Sequence, residues 1–480
     1  MEKREKILAE ELRKTKVGKT KRKLILKGVK DKEQKQATMK HSIKEGAIAS
    51  VGSGVGDAYI IPYALALNAN NLQIGLLKSF SSLLPPISQL YGSKLMEKKS
   101  RKKIIVTYVA LQAFMWLPII FLSLFFWKNL FQSYLPYFLI AFYTLYAIFG
   151  SIASPAWFSL LGDIVPETIR GRYFGKRNRI AGIAALISTL TAAFLLDFFK
   201  TRGFVILGFS ILFLIASIAR STSAYLFKKH YEPKFKLPKK YFFSFWQFLS
   251  GIRKYNFTKF SLFSSIMHLS VMFASPFFIV YMLEELGFSY VTFIIVTLFS
   301  SLASLLMMPI WGRFSDKYGR KETILISTIL ISIMPILWLF SKSPYYLAFP
   351  MLLSGVGWAG FNLSAFNFIY DSVSQQRRGL CIAYFNILGG IGAFIGATLG
   401  GFILFKLPLF NFTMNKFLII FLISAFLRAM TSIIFLPRIK EVRKVKKFNP
   451  VLTFRKMRIT NGLMHEIADG FHYVEKKLGV

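Results

Sequence analysis

Cysteine, histidine and acidic residues are scarce in this chain of 480 residues, which has one cysteine, five histidines and 22 aspartates and glutamates. The single Cys381 excludes an intramolecular disulfide and a cysteine-based metal site. The sequence has no phosphate-binding loop in a strand-and-helix context, and no constellation of acid, base and nucleophile. We therefore expect no metal, no cofactor, no direct use of ATP and no enzymatic activity.

Apolar residues are abundant instead. They make up 54% of the chain, and the mean hydropathy is +0.48. They are concentrated in runs of about 20 residues, which is the length that crosses a bilayer. In hydrocarbon every backbone polar group must be bonded within its own segment, and the runs are too long and too unbroken for barrel strands. The sequence therefore predicts an all-α membrane protein.

About twelve such runs follow one another, in two groups of six. We predict a basic N-terminal tail over 1–42, a six-helix bundle over 43–227, a linker over 228–256, a second six-helix bundle over 257–436 and a basic C-terminal tail over 437–480. The linker mixes aromatic and basic residues, which is typical of an amphipathic helix in the headgroup layer. The expected spans are about 43–67, 72–92, 104–127, 134–158, 179–200, 204–227, 257–283, 290–312, 322–341, 345–369, 380–404 and 416–436.

Lysine and arginine outnumber the acids by 62 to 22, which gives a net charge of +40. In a soluble protein this charge would suggest a nucleic-acid partner, but here it is concentrated in the tails and in the connectors after the even-numbered spans. The positive-inside rule places both termini and these connectors in the cytoplasm of a multi-pass cell-membrane protein. We expect the tails to contact anionic lipid headgroups, and we expect no nucleic-acid partner.

A short polar connector between two apolar runs occurs twice in the chain. Five of its residues recur at one constant spacing of 208: Asp163 and Asp371, Val165 and Val373, Arg170 and Arg378, Gly171 and Gly379, Asn178 and Asn386. Five matches in register indicate a duplication. The sequence is therefore interpreted as two related halves.

The connector after span 8 carries a glycine, an acid four residues later and then Gly-Arg-Lys, at Gly312, Asp316, Gly319, Arg320 and Lys321. With the twelve spans, the related halves and the repeated Asp…Arg-Gly connector, the chain resembles the major facilitator superfamily over most of its length. The resemblance implies two pseudo-symmetric six-helix halves. They would rock against each other and expose a central site to either side in turn.

The first-half copy of this motif departs from the pattern, because Met96 and Ser100 stand where an acid and a glycine are expected. In the superfamily such connectors hold the halves together on the cytoplasmic side of the outward-open state. The resemblance therefore implies a cytoplasmic latch, formed by Asp163, Arg170, Asp316, Arg320, Asp371 and Arg378. The alternative is a plain positive-inside anchor with local capping.

Asp57 is the sharpest single candidate, because it lies in the middle of the first span, in the segment Gly52-Ser53-Gly54-Val55-Gly56-Asp57. A carboxylate near the bilayer centre costs about 2.5 to 3.5 kcal/mol even on insertion scales. Such a group faces a partner or a water-filled cavity. Lys78 of span 2 lies at a similar depth, within reach of a lysine side chain. The pair is either a structural ion pair or a site of proton coupling, cation coupling or substrate contact.

Further pocket candidates come from the resemblance, which implies that helices 1, 4, 7 and 10 line the central cavity. They are polar or aromatic residues of these helices, Tyr143, Tyr146, His268, Trp358 and Asn362, and also Gln112 of span 3 or Gln89 of span 2. Trp358 and Asn362 are four residues apart and so share one face of a helix. Each of these residues has the alternative role of an interhelical hydrogen bond.

Two other patterns within the spans, one of glycines and one of arginines, lead to predictions. Gly392, Gly396 and Gly400 are four apart, which favours close helix contact of the kind expected between the halves. Arg220 and Arg428 lie near the predicted cytoplasmic ends of spans 6 and 12, and we expect both to extend to the headgroups.

These observations predict a secondary active transporter that moves a small organic solute by alternating access, with protons as one candidate coupling ion. We expect it to act as a monomer. Two alternatives stay open at this point: a passive facilitator of the same fold, and a non-transporting membrane scaffold that recruits partners through its basic tails.

Overall fold

The computed structural model describes residues 19–233, 244–251, 255–373, 377–407, 414–443 and 445. Over these residues the chain consists of helices joined by short connectors, without strands. The twelve main helical units are α1 (Lys19–Val55 and Ile60–Ala66), α2 (Asn71–Leu95), α3 (Arg101–Phe114 and Trp116–Trp127), α4 (Leu135–Ile164), α5 (Arg170–Thr201), α6 (Val205–Lys228), α7 (Asn256–Met272 and Ser275–Val280, then a π turn Tyr281–Glu285), α8 (Tyr290–Tyr318), α9 (Arg320–Leu337), α10 (Pro344–Ser372), α11 (Arg378–Lys406) and α12 (Lys416–Phe435).

Nine of the helices described here are long and apolar enough to cross a membrane. The other three are α1, α2 and α9, which carry more polar residues. In α9 the reason is visible, because its 18 residues open with Arg320, Lys321 and Glu322. The three pack among the other nine, so the chain forms the predicted bundle of twelve spans.

The same packing scheme occurs twice. In the first half α1 packs against α5 and α6, and α3 packs against α4 and α6. In the second half α7 packs against α11 and α12, and α9 packs against α10 and α12. Each contact of the first half therefore has a counterpart six helices later. The two pseudo-symmetric halves predicted from the repeated connector are confirmed.

The halves meet chiefly through two helix pairs, and α7 also contacts α1 and α2. In the first pair α2 crosses α11 closely: a Cβ added at Gly75 would lie 2.5 Å from the carbonyl oxygen of Ala397, and Ser79 Oγ donates to the carbonyl of Phe394 at 3.0 Å. In the second pair α5 meets the start of α8. Asp197 accepts hydrogen bonds from the backbone N–H groups of Tyr290 and Val291, at 2.8 and 2.9 Å.

The halves converge mainly on one side, although Leu90 of α2 also packs against the second half nearer the other side. We call the side that holds the connectors 96–100, 165–169 and Gly319 the basic side. On the opposite side one hydrophobic cluster contains buried residues of both halves, such as Tyr63 and Phe277. On the basic side the buried residues of each half form a cluster of their own. The bundle is therefore closed on the opposite side and divided on the basic side.

The glycine stripe of α11 has a different partner from the one expected. Cβ atoms at Gly392, Gly396 and Gly400 would collide with carbonyl oxygens of α7. Because α7 belongs to the same half, this stripe packs one half internally. The contact between halves uses Gly75 and Gly401 instead, on α2 and α11.

The segments that flank the bundles are partly packed against them. Helix α1 begins at Lys19, inside the range predicted as a tail. The later residues of that range pack against the rest of the chain: Thr38 is 1% exposed and accepts a hydrogen bond from the backbone N–H of Tyr231. In the linker a short helix, Phe245–Ser250, packs Phe248 against the bundle and leaves Trp246 76% exposed.

Candidate functional site

The site begins with a break in α1. The helix ends at Val55 and resumes at Ile60, with a 3₁₀ turn over Asp57–Tyr59 between them. The glycines before the break allow close packing, since a Cβ at Gly56 would lie 2.5 Å from the Trp116 ring. Asp57 is thus placed where the regular helix is interrupted, inside the bundle.

Asp57 contacts α4. Tyr146 Oη donates to Asp57 Oδ2 at 3.3 Å, whereas the buried Oδ1 has no hydrogen-bond partner in the described part of the chain. Tyr143 stacks on Tyr146 with ring centroids 5.5 Å apart, and the Lys78 ammonium is close enough to Asp57 to interact electrostatically. The structure therefore brings three predicted site residues, Asp57, Tyr143 and Tyr146, into contact, with Lys78 further away and not in an ion pair with Asp57, and it leaves Asp57 Oδ1 without a hydrogen bond in the described residues.

A second charged cluster lies on the basic side of Asp57. Glu45 Oε2 accepts from Arg177 Nη2 at 3.1 Å, and its Oε1 accepts from Ser223 Oγ at 2.8 Å and lies 4.0 Å from Arg220 Nη1. Sequence reasoning did not single out Glu45, although the residue lies inside the predicted first span, because it is near the start of that span and follows several lysines. Glu45 is 2% exposed. The signal that could have found it is an acid inside a predicted span.

Gln112 belongs to this second cluster rather than to an open pocket wall. Its Oε1 accepts from Arg220 Nε at 2.8 Å. The prediction that Arg220 extends to the headgroups is wrong, because the guanidinium points into the first half. Its repeat counterpart Arg428 is also buried, 3% exposed, and donates to the carbonyls of Ile331 and Val271 at 2.9 and 3.4 Å.

A cavity of about 320 Å³ lies beside these charges. Its polar walls come from α1, α5 and α6, and its apolar walls come mainly from α3 and α4. The lining includes Glu45, Ser50, Ser53, Trp157, Phe158, Arg177 and Arg220. Because Ser53 precedes Asp57 by one helical turn, the cavity reaches the break in α1 from the basic side.

The second half contributes a smaller group. His268 Nδ1 donates to the carbonyl of Ser264 at 2.7 Å, and its ring lies 6.4 Å from that of Trp358. Asn362 is exposed one turn further along α10, and Gln89 of α2 is half-buried. His268 and Trp358 are thus neighbours, whereas Gln89 is not part of either charged cluster.

Within each half, the acids of the predicted latch form ion pairs with arginines of that half. Arg320 donates to Asp316 Oδ1 at 3.0 Å and to Asp371 Oδ2 at 3.2 Å. Gly319, at φ +102°, takes the left-handed conformation that the motif's glycine allows. In the first half the partner of Asp163 is Arg101, at 2.6 Å, which sequence reasoning missed.

The remaining latch residues are placed as follows. Arg170 Nη2 donates to the carbonyl of Gly162, in the same half. A Cβ added at Gly312 would meet only the side chain of Leu363, at 3.9 Å. The Arg378 side chain lies outside the part of the chain that the structure describes. The latch between halves therefore stays a prediction about another conformational state.

The fold and the site define a class: a polytopic helical membrane protein with two repeated six-helix halves and charged residues at its centre, which is the architecture of a membrane transporter. The sequence matches the model of the Major Facilitator Superfamily over residues 46–273 and 260–465. The chain belongs to this superfamily.

Individual relatives match over short stretches. A vacuolar basic amino acid transporter of Saccharomyces cerevisiae is 32% identical over 100 residues, which is 21% of each chain. The multi-drug resistance efflux pump PmrA of Streptococcus pneumoniae is 33% identical over 104 residues, covering 22% of this chain and 26% of the pump. The alignments thus span about a fifth to a quarter of these relatives.

Solved structures match over most of the chain. The nucleoside transporter NupG has a TM-score of 0.61 at 14% identity, covering 84% of this chain and 99% of that one. A bacterial homologue of the iron transporter ferroportin, in an inward-facing state, has a TM-score of 0.62 at 14% identity, covering 84% and 98%. At this identity the likeness shows the fold, which agrees with the twelve-helix arrangement above.

Proposed function

We propose that the protein is a secondary active transporter that moves a small organic solute across the membrane by alternating access. The single observation that carries this proposal is the cavity beside α1, which extends from the basic side as far as Ser53, one helical turn before Asp57. A carboxylate within a membrane span is energetically costly, above all when one oxygen lacks a hydrogen bond. Such residues are therefore candidates for a functional site. The positive-inside rule supports a cytoplasmic basic side, so the structure would be the inward-facing state.

Transport requires the closed side to open in turn. The contacts that would break are those between halves, chiefly Asp197 with the start of α8 and the packing of α2 on α11. The pairs around Arg101 and Arg320 lie within single halves. Each half would therefore move as a rigid body.

Coupling is assigned to the cluster at the break in α1. Asp57 accepts a hydrogen bond from the Tyr146 hydroxyl and attracts the more distant Lys78 ammonium, so protonation of the carboxylate would weaken the bond and remove the attraction. The freed lysine and tyrosine could then rearrange as the halves rock. A proton is the simplest ion to suit a single carboxylate. Relatives named for amino acids and for drugs support an organic solute of moderate size.

Proteoliposomes test the proposal with a solute library, so the substrate need not be identified first. The purified protein would be reconstituted, a pH gradient imposed, and a library of amino acids, organic acids, nucleosides and amphiphilic drugs assayed inside the vesicles by mass spectrometry. We expect at least one solute to accumulate above its external concentration. Asp57→Asn should abolish accumulation with little change in thermal stability. Asp31→Asn, a matched change earlier in α1, where the aspartate is half-buried and pairs with Lys35, should preserve it.

The two alternatives give different results. A passive facilitator would equilibrate a solute without accumulation, and Asp57→Asn would not alter the end point. A scaffold would move no solute. Removal of residues 1–30, which precede the buried part of α1, should leave transport intact in a transporter and abolish partner recruitment in a scaffold.

A further inference from the structure

We propose that the cavity in the first half binds the carboxylate of an organic acid, and that Arg177 and Arg220 are its ligands. This inference rests on the proposed function, since it names the class of solute. The site is defined by three buried or half-buried charged groups on three different helices: Glu45 of α1, Arg177 of α5 and Arg220 of α6.

Charge balance is the first argument. The cavity wall holds two arginines, Arg177 and Arg220, and one acid, Glu45, when all are ionised. One positive charge is therefore left over among these groups. A buried cation without a partner is unfavourable in a low-dielectric medium, so an anion is the ligand that the cavity favours.

Incomplete hydrogen bonding is the second argument. Arg220 uses Nε for Gln112, and its Nη1 reaches only Ser223 at 3.4 Å and Glu45 at 4.0 Å. Its Nη2 donates to no residue that the structure describes. A guanidinium prefers a bidentate carboxylate, which would supply two short bonds along its outer edge. Glu45 does not supply these bonds, because its Oε1 lies 4.0 Å from Arg220 Nη1.

Glu45 indicates how the ligand would be held. Its carboxylate already binds Arg177 at 3.1 Å and Ser223 at 2.8 Å, within the cavity wall. A carboxylate from solution would share the same donors and so compete with Glu45. A fully matched structural ion pair would leave no donor unused, whereas Arg220 Nη2 has no acceptor among the described residues.

The apolar walls of the cavity indicate the size and shape of the rest of the ligand. Trp157 and Phe158 line the same cavity, and the Arg177 guanidinium lies 4.9 Å from the centre of the Trp157 ring. A volume of about 320 Å³ is at the small end of the range for ligand pockets. The geometry therefore fits a small acid with one flat or aromatic part, rather than a large amphiphile.

Binding to the purified full-length protein tests this inference independently of transport. Indole-3-carboxylate and indole-3-carboxamide have the same shape and differ in charge, so calorimetric titration with both isolates the contribution of the carboxylate. We expect the acid to bind roughly ten-fold more tightly than the amide, from one charge-assisted interaction. Equal affinities would overturn the inference. So would tighter binding of inorganic phosphate than of the acid.

Variants locate the site. Arg177→Gln and Arg220→Gln should each weaken binding of the acid by roughly ten-fold and leave the amide unchanged. Arg202→Gln, an exposed arginine just after α5 that loses the same charge, should bind as the unaltered protein does. Glu45→Gln should strengthen binding of the acid by about three-fold or more, because it removes the competing carboxylate. A purely structural Glu45 would give no such gain, and that result would count against the site.

The outcomes for the site and for transport are separable. If the acid binds with this dependence on arginine but no solute accumulates in proteoliposomes, the carboxylate site stands and the transporter proposal fails. If neutral solutes accumulate and the acid shows no preference over the amide, the transporter proposal stands and this inference is overturned. Should both arginine variants misfold, Glu45→Gln and the acid–amide comparison still decide.

Discussion

Arg101 and Asp163 form the first-half counterpart of Arg320 and Asp371. Arg101 Nη1 lies 2.6 Å from Asp163 Oδ2, and Arg320 Nε lies 3.2 Å from Asp371 Oδ2. In each half the arginine begins the third helix and the aspartate lies near the basic-side end of the fourth. The first-half motif lacks its acid and its second glycine but keeps this arginine. The pair between the third and fourth helices is therefore the part of the motif that both halves share.

Substitution of Arg101 should destabilise the first half. The side chain is 1% exposed, and it also donates to the carbonyls of Ser159 and Pro233. We expect Arg101→Ala to lower the free energy of unfolding by about 3 kcal/mol, near the lower limit for breaking a buried pair, because Asp163 can return partly to water. Thermal unfolding in detergent measures the effect.

The exposed Arg172 provides the control for this experiment. Arg172→Ala removes the same charge from the basic side and should leave the melting temperature nearly unchanged. Asp163→Asn should cost less than Arg101→Ala, because its side chain is 44% exposed. Equal melting temperatures for Arg101→Ala and Arg172→Ala would contradict the structural role of the pair.

The glycine stripe of α11 gives a second prediction. A Cβ at Gly396 would collide with the carbonyl oxygen of Leu269, whereas a Cβ at Gly389 would meet nothing within 4 Å. Gly396→Ala should therefore separate α11 from α7 and destabilise the protein by about 1 to 3 kcal/mol. Gly389→Ala on the same helix should be neutral or slightly stabilising, because alanine is the better helix former. Equal melting temperatures for Gly396→Ala and Gly389→Ala would contradict the close packing of α11 on α7.

Much of the fold could be predicted from sequence because bilayer thickness sets the length of a span, and the repeated connector shows the duplication directly. Boundaries at the basic side could not be predicted, since helices there extend beyond the hydrocarbon. Helix α1 is the clearest case. Its lysine-rich first turns look solvated in sequence, yet Thr38 and Ser42 are buried, at 1% and 0% exposure. Their neighbours come from distant segments, which no local pattern contains.

The site was predictable in part for a similar reason. Asp57 and Lys78 are conspicuous because a charge in an apolar run requires an explanation. Glu45 and Arg101 are not, because charge is common where they lie. Arg220 was found but misinterpreted, since its depth alone cannot distinguish a side chain that extends to water from one that turns inward to Gln112.

A pH-dependent prediction concerns the segment after α6. His230 is 1% exposed and packs edge-on against Phe227, and this burial, with the neighbouring groups His41, Lys102 and Arg177, lowers its pKa from 6.5 to about 4. Between these values the unfolded chain binds a proton that the folded protein does not. The contribution to stability is therefore complete above pH 6.5 and is lost as the pH falls towards 4.

The total loss should be about 3 kcal/mol. It is expected first as undocking of this segment, which hydrogen exchange at Tyr231 and Glu232 would detect as faster exchange at pH 5 than at pH 7, after correction for intrinsic rates. His230→Gln cannot titrate and should reduce this dependence on pH. An unchanged pH profile in that variant would assign the effect to another group.

The closed side of the bundle gives the last prediction. Asp197 of α5 accepts the first two N–H groups of α8, at 2.8 and 2.9 Å, so its negative charge also meets the positive end of that helix. Because α5 and α8 belong to different halves, this contact stabilises only the state that is open on the basic side. Asp197→Asn should shift the equilibrium towards the other state by roughly ten-fold.

Cysteine labelling measures this shift. In a Cys381→Ser background, Ser53→Cys places a thiol in the cavity, and its rate of reaction with a maleimide reports how often the basic side is open. The rate should fall when Asp197→Asn is added. Glu285→Gln removes an acid on the same side whose partner, Asn415, lies in the same half, so it should leave the rate unchanged. If Asp197→Asn behaves like Glu285→Gln, the contact does not hold the two halves together.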